Sequence, residues 1–330
     1  MNKIIQYIII ALVSLTFDSC KSSLCREEID FSEVKEEVEF NRLDKDLFAN
    51  PDEFIDSHLK FKAFVVKKLI PESQLKKFFN FAAKDTAVKS LRTTVNKEFS
   101  DISTLNSEIE DGLKRIKTYF PNYNFPTINY VFTAFGDIHL VKNEKDIYVG
   151  LDYFLDAKEK FPLPQDPFPQ YIAQFMKKEY LAAKIMTVES NVYNEYDTKN
   201  KSLLNDIIAY GKMYYFTSMM LPCEPNAVIL SRSEDDMKNM ETHKVDIWQF
   251  FVKNQLFYKE DRETTRRYLD PRPKTIEIAD NCPGMVGQWL GYEIVKSYMN
   301  HNKNITLQEL MGNDDNQSIF NESGFKSTLK

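Results

Sequence analysis

Apolar residues recur every three or four positions over most of the chain, which predicts a mainly helical protein. The predicted helical stretches cover residues 40–120, 171–187, 203–220, 233–257, 283–299 and a short piece near 307–311. Proline interrupts the first stretch at Ile70-Pro71 and ends it at Phe120-Pro121, because proline cannot continue a helix. The stretch 203–220 is apolar nearly all round, which is typical of a buried helix.

Two segments in the middle of the chain have the pattern of strands instead. Residues 126–135 are β-branched and aromatic and end at Gly136-Asp137, and residues 146–151 form a second such run. Their spacing allows a hairpin, with room for a short strand at 138–141. The sequence therefore predicts an α+β fold, mainly helical with a small β-sheet. We expect one globular domain over residues 40–311 and a loose polar tail over 312–330.

The first twenty residues have the pattern of a bacterial export signal. Lys3 precedes an apolar run of about a dozen residues, which is too short to span a bilayer as a helix. A cysteine ends the run, which predicts a signal peptide over 1–19 and a lipoprotein acylated, for example with palmitate, on Cys20. The three positions before Cys20 hold Phe17-Asp18-Ser19 instead of a leucine and two small residues. A soluble secreted protein and an uncleaved anchor therefore remain alternatives.

The stretch after Cys20 is polar and acidic, so residues 20–39 are predicted to be a flexible tether. No second apolar segment approaches 18 residues. The formal net charge is −6 with both signs mixed along the chain, and no basic stripe indicates a nucleic-acid partner.

Three cysteines remain after Cys20 is assigned to lipid. An oxidising envelope would permit a disulfide between Cys223 and Cys282, the only pair within the predicted domain. Two separate buried thiols are the alternative.

Glycines cluster in one predicted helix. Three of the nine glycines fall within eight residues, as Gly284, Gly287 and Gly291, after Pro283. Gly287 and Gly291 share a helix face, and each interior glycine costs about 0.8–1 kcal/mol against alanine. Such glycines favour close packing of another backbone within the chain; a groove for a partner or ligand is the alternative. Gly211 raises the same question.

No catalytic motif is recognisable. The four histidines, at positions 58, 139, 243 and 301, are far apart in sequence, and no zinc-binding His-Glu-x-x-His pattern is present. No nucleophile elbow, phosphate loop or dinucleotide motif occurs either. The residues therefore identify no metal ligands, no cofactor and no small-molecule substrate, although a hydrolase that uses two carboxylates remains an alternative.

Several segments together resemble the gliding-motility lipoprotein family GldB over roughly residues 35–311. The two specific parts are Leu203-Leu204-Asn205-Asp206-Ile207-Ile208-Ala209-Tyr210-Gly211-Lys212 and the helix that begins Pro283-Gly284-Met285-Val286-Gly287-Gln288-Trp289-Leu290-Gly291. Weaker parts are residues 38–48, 119–121, 147–155 and Ile247-Trp248.

The resemblance implies a non-catalytic, lipid-anchored protein of the cell envelope that faces the periplasm. It would contact proteins of the gliding and type IX secretion machinery. The family is distantly similar to a zinc-dependent protease family, which implies a degenerate zincin-like fold. The metal chemistry is not carried over, because Glu179 in the helix 171–187 has no histidine at the required positions. An envelope hydrolase with an atypical site is the second hypothesis. The residues that would form a partner or packing face are Pro283, Gly284, Gly287, Trp289, Gly291, Gly211 and Lys212.

Overall fold

The structure is a computed structural model that describes residues 25–26, 29–48, 50–68, 71–136, 138–156 and 160–329. Over these residues the protein is a mainly helical α+β fold with one four-stranded mixed sheet, as the sequence predicted. The predicted signal peptide and Cys20 lie outside the described residues.

The sheet is built mainly from parallel strands. Its strands are β1 (Phe40–Arg42), β2 (Thr127–Val131), β3 (Leu140–Asn143) and β4 (Asp146–Gly150), in the order β1-β2-β4-β3. β1, β2 and β4 are parallel, with Ile128 opposite Ile147, and β3 is antiparallel to β4. Both strands predicted from the sequence are present, but they pair in parallel, so the prediction that a hairpin joins them is wrong. The hairpin joins β3 to β4, and burial of β2 and β4 agrees with the continuous apolar runs of central parallel strands.

Helices of 4 to 17 residues fill the first third of the described chain. They are α1 (Leu43–Asp46), α2 (Pro51–Ser57), α3 (Leu59–Lys68), α4 (Glu72–Lys84), α5 (Thr86–Glu98) and α6 (Ser103–Tyr119). Pro51 occupies the first turn of α2, where the side chain of Asn50 caps the helix. α4 begins directly after Pro71, as the break in the pattern predicted.

The remaining α-helices lie in the second half of the described chain, and the longest of them has 18 residues. They are α7 (Gln170–Ala173), α8 (Leu181–Ser190), α9 (Leu203–Met220), α10 (Asn226–Ile229), α11 (Glu234–Thr242), α12 (Lys244–Lys253), α13 (Arg262–Leu269), α14 (Val286–His301), α15 (Leu307–Gly312) and α16 (Asn316–Glu322). The helix predicted over 171–187 is interrupted, because Lys177 has an extended backbone and a 3₁₀ turn at 178–180 precedes α8.

The core centres on α9 and α14. The side chain of Ser202 caps α9, and apolar residues such as Ile207 and Phe216 in this helix are fully buried. α14 crosses α9, and α8, α13 and α16 pack around the pair. One continuous apolar cluster runs from Val38 to Phe325, so the described residues share a single core.

The end of the chain differs from the predicted loose tail. α16 packs on both α9 and α14, with Ile319 and Phe325 fully buried. The amide of buried Asn316 donates hydrogen bonds of 2.9 Å to the backbone oxygen and the side-chain oxygen of Asn205. The two apolar anchors are isolated among polar residues, so no periodic pattern revealed them.

The described part of the predicted tether also contacts the domain. Cys25 forms a disulfide with Cys223, and the backbone N–H of Arg26 donates to the carbonyl oxygen of Pro222 at 2.9 Å. Further along, Val38 is buried in the core. Both alternatives left open by the sequence are therefore wrong: Cys223 is neither bonded to Cys282 nor left as a separate thiol. Cys282 is an unbridged buried thiol, and burial raises its pKa to about 12. Within the described ranges, no helix is both long and apolar enough to cross a bilayer.

Candidate functional site

The glycines of α9 and α14 meet each other. A Cβ atom added to Gly211 would collide with the carbonyl oxygen of Gly291, and one added to Gly291 would collide with the carbonyl oxygen of Ile207. The two helix backbones therefore touch at this crossing, which is possible only where side chains are absent. This face is filled by the chain itself.

The other glycines of the segment have similar neighbours. A Cβ on Gly287 would lie 2.8 Å from Cδ2 of Leu269 in α13, and one on Gly284 would collide with the carbonyl oxygen of Arg272. The carbonyl oxygen of Pro283 accepts a 2.9 Å hydrogen bond from the hydroxyl of Thr275, and Trp289 is buried. The segment therefore seats α14 against α9 and α13.

Lys212 is fully buried beside the crossing. Its ammonium group donates to the carbonyl oxygen of Glu195 at 2.5 Å and to that of Asn313 at 2.7 Å. Burial lowers the pKa of Lys212 to about 8, although the nearby Glu195 and Asp314 oppose this shift. Lys212 thus ties the segment before α9 and the segment after α15 to the central helix.

The face of α9 opposite Gly211 and the helix crossing opens to a cavity of about 490 Å³, which we call the α9 pocket. Asp206 and Tyr210 are four residues apart, so both project from this one face of α9. Together with Met213 they form one wall of the pocket. The full lining is Asn191, Asn194, Tyr196, Asp206, Ala209, Tyr210, Met213, Thr265, Leu269 and Asp270.

The α9 pocket is polar and acidic. Burial raises the pKa of the Asp206 carboxyl, while Lys201 opposes this shift. Burial also raises the pKa of Tyr210, with added contributions from Asp270 and Asp206. Asp206 and Asp270 supply hydrogen-bond acceptors and negative charge beside the phenol groups, although Asp270 also forms an exposed ion pair of 3.4 Å with Nε of Arg266. The pocket therefore suits a cationic group with N–H donors.

Sequence reasoning found only part of this pocket. Asp206 and Tyr210 belong to the quoted 203–212 segment, but their role was not recognised. They are polar positions at a spacing of four on an otherwise apolar helix, and this was the available signal. Tyr196 and Asp270 come from the loop before α9 and the end of α13, and no local pattern pointed to them.

The histidines lie in separate surroundings. His139 packs edge-on against the rings of Tyr153 and Phe168, with centroids 5.8 and 5.1 Å away. Nδ1 of His243 lies 3.3 Å from a carboxylate oxygen of Asp246. Within the described part of the chain, no group of three or more histidine, cysteine or acidic residues is arranged to hold a metal ion.

The fold and this pocket define a single-core, mainly helical α+β protein with an acidic surface pocket beside its central helix. The profile of the family described as gliding motility protein GldB matches residues 24–327, so the chain belongs to this family of gliding-motility lipoproteins. The match includes most of the segment predicted as a tether and most of the predicted tail. No curated protein and no solved structure shows significant similarity to the chain. The zincin-like likeness therefore stays a prediction.

Proposed function

We propose that this protein is a non-catalytic lipoprotein of the bacterial envelope that supports gliding by binding other proteins of the gliding and type IX secretion machinery. In this proposal Cys20 carries the lipid and the domain faces the periplasm. Membership of the gliding-motility family supports the cellular role. The α9 pocket is the observation that carries the binding role.

The chemistry of the pocket defines the partner segment. Asp206 and Asp270 place two carboxylates in the lining, and Tyr196 in the lining is 41% exposed. The neighbouring Val192 is 53% exposed, so apolar surface adjoins the acidic pocket. The residues that contribute most to binding at protein interfaces are enriched in tyrosine, tryptophan and arginine. The partner would present a lysine or arginine to the carboxylates, flanked by an apolar residue.

Charge removal tests this proposal. The double variant Asp206→Asn, Asp270→Asn keeps the shape of the pocket and removes its negative charge. We expect colonies that no longer spread, with the protein level and the melting temperature unchanged. Asp280→Asn is the matched control, because Asp280 is an exposed carboxylate outside the pocket lining. Normal spreading of the double variant would overturn the binding role of the pocket.

A crosslinking experiment identifies the contact directly. A photoreactive phenylalanine analogue at position 196 should crosslink in cells to a component of the gliding or secretion machinery. The crosslink should disappear in the Asp206→Asn, Asp270→Asn background. A crosslink that persists there would show that the carboxylates do not bind the partner.

The lipid anchor is tested at Cys20. Cells fed a clickable fatty acid should label the wild-type protein and not Cys20→Ala, which should be released from the membrane or misprocessed. Equal labelling of both proteins would show that Cys20 is not the acylated residue.

A further inference from the structure

The disulfide sets how far the domain can move from its lipid anchor. Cys25 lies five residues after Cys20 and is bonded to Cys223 in the body of the domain. A fully extended chain spans at most about 3.3–3.6 Å per residue, so five residues reach about 17 Å. Cys223 therefore stays within that distance of the residue that would carry the lipid.

Hydrogen bonds fasten the same stretch to the same place. The backbone N–H of Arg26 donates to the carbonyl oxygen of Pro222 at 2.9 Å. The Arg26 guanidinium donates to the carbonyl oxygen of Glu224 at 3.1 Å and also bonds the side-chain oxygen of Asn226. The attachment is therefore an extended contact with residues 222–226 as well as one covalent bond.

Without this attachment, the free length of chain between Cys20 and the domain would be much longer. The next residue of this stretch that is buried in the core is Val38, 18 residues after Cys20. That length of chain reaches about 60 Å, which is more than the size of a typical domain. The disulfide is the only covalent link at this attachment, and together with the hydrogen bonds of Arg26 it keeps one face of the domain near the lipid anchor.

The attachment point lies at one end of the central helix. Cys223 follows the C-terminal end of α9, whose 18 residues span about 27 Å. Asp206 is 14 residues before Met220, or about 21 Å away along the helix axis. The α9 residues of the pocket, from Asp206 to Met213, therefore lie about 10–21 Å from this end, in the first two thirds of α9.

We propose that the surface around the Cys25–Cys223 disulfide rests on the lipid bilayer and that the α9 pocket points away from it. We call this surface the membrane-facing surface and define it by Ser103, Thr104, Ser107, Pro222, Cys223 and Glu224, which line one cavity. The same cavity is also lined by Glu108, Asp111 and Arg115, so this surface is polar and has more carboxylates than cations. It suits contact with hydrated zwitterionic headgroups and not insertion into the hydrocarbon. This inference rests on the proposed acylation of Cys20. A partner in the α9 pocket would then be held on the periplasmic side, on the part of α9 that is farther from the membrane.

Quenching by a headgroup-labelled lipid tests the orientation. The full lipidated protein is placed in liposomes that contain a nitroxide-headgroup lipid, with one fluorophore at Ser107→Cys or at Lys199→Cys. Ser107 lines the cavity beside Cys223, and Lys199 is exposed in the loop before α9. Because about 27 Å of helix separates these two ends of the domain, we expect about twofold or stronger quenching at Ser107 than at Lys199. Equal quenching, or stronger quenching at Lys199, overturns the proposed orientation.

A variant without the disulfide shows whether the short connection between Cys20 and Cys25 causes the orientation. The double variant Cys25→Ser, Cys223→Ser keeps Cys20, and the difference in quenching between the two labels should shrink in it. An undiminished difference in a folded double variant would show that the disulfide does not hold the surface down. If the double variant does not fold, the comparison of Ser107 with Lys199 in the intact protein still decides the orientation.

Flotation of the same liposomes separates the two hypotheses. Protein that floats but is quenched equally at both sites overturns the orientation and leaves the lipid anchor intact. Protein that does not float overturns acylation at Cys20 and the orientation together.

Discussion

Replacing Gly291 by alanine is the most direct test of the central helix crossing. The added Cβ would collide with the carbonyl oxygen of Ile207 and lie 3.2 Å from the backbone nitrogen of Gly211. Both neighbours are backbone atoms, which cannot rotate away as a side chain can. The helices α9 and α14 must therefore separate.

The size of the effect follows from two opposing terms. Alanine in place of glycine improves helix propensity by about 1 kcal/mol. If the two helices move apart by about 0.5–1 Å, each contact between them loses a quarter to a half of its dispersion energy. α9 and α14 form the most extensive contact between any two described elements, so many contacts would be affected. Because the collision is with backbone atoms, the overpacking cost should reach about 3 kcal/mol or more, so after the gain in propensity we expect a net loss of about 2 kcal/mol or more in the free energy of unfolding.

Two other glycines provide matched controls. In Gly287→Ala the nearest atom is the methyl end of the Leu269 side chain, which can move, and the next is the carbonyl oxygen of Tyr268 at 3.1 Å, which needs only a small shift. A net change within about 1 kcal/mol is therefore expected. Gly312 is the last residue of α15 and has nothing within 4 Å of an added Cβ. Gly312→Ala should therefore be neutral or stabilising by up to about 1 kcal/mol.

Urea unfolding of the three purified variants, followed by circular dichroism, measures these differences. The expected order of stability is Gly312→Ala, then Gly287→Ala, then Gly291→Ala. From about 2.1 cal/mol/K of unfolding entropy per residue, each kcal/mol corresponds to about 1.5–2 °C in the melting temperature. A Gly291→Ala protein as stable as the Gly312→Ala protein would refute backbone contact at the crossing.

Three further predictions concern buried charge and metal. Lys212→Met should lose about 1–3 kcal/mol at pH 7, because two buried carbonyl oxygens lose their donor. Lys212 has a pKa of about 8 in the folded protein and of about 10.5 in the unfolded chain, so between these pH values only the unfolded chain holds the proton on this side chain. Wild-type stability should therefore rise between pH 8 and 10.5, and the deficit of the variant should grow in urea titrations at pH 9.5. Burial and the nearby Glu224 raise the pKa of Glu108 to about 7. The folded chain then binds the extra proton from about pH 4.5 to 7, and stability is lost as the pH rises through this window. After a discount for solvent screening, Glu108→Gln should gain about 1–2 kcal/mol over wild type at pH 8 and nothing at pH 4, measured by the same unfolding assay. Elemental analysis should find well under one zinc per chain; one tightly bound zinc that is lost in His139→Ala or His243→Ala would contradict the non-catalytic hypothesis.

The sequence alone determined the features that depend on local pattern. Helical periodicity predicted the buried helix 203–220 with its first residue, Leu203, placed correctly. The β-branched runs predicted the two central strands. The clustered glycines pointed to a helix face without side chains, and their neighbours in the structure are backbone and side-chain atoms of the same chain. These features were readable because periodicity, propensity and capping act over a few residues.

Only the tertiary structure decided which distant segments meet. The disulfide joins Cys25 to a cysteine 198 residues away, and no spacing rule in the sequence prefers it to the pairing of Cys223 with Cys282. The parallel pairing of β2 with β4 likewise depends on the path of the intervening chain.

The α9 pocket likewise depends partly on local sequence and partly on tertiary structure. The sequence placed Asp206 and Tyr210 on one helix face, but their polar neighbours come from the loop before α9 and from the end of α13. The burial of α16 against α9 and α14 also rests on isolated apolar anchors in a polar segment. A local pattern records which face of an element is apolar. Which element covers that face, and which polar groups then share a pocket, is set by packing the whole core at once.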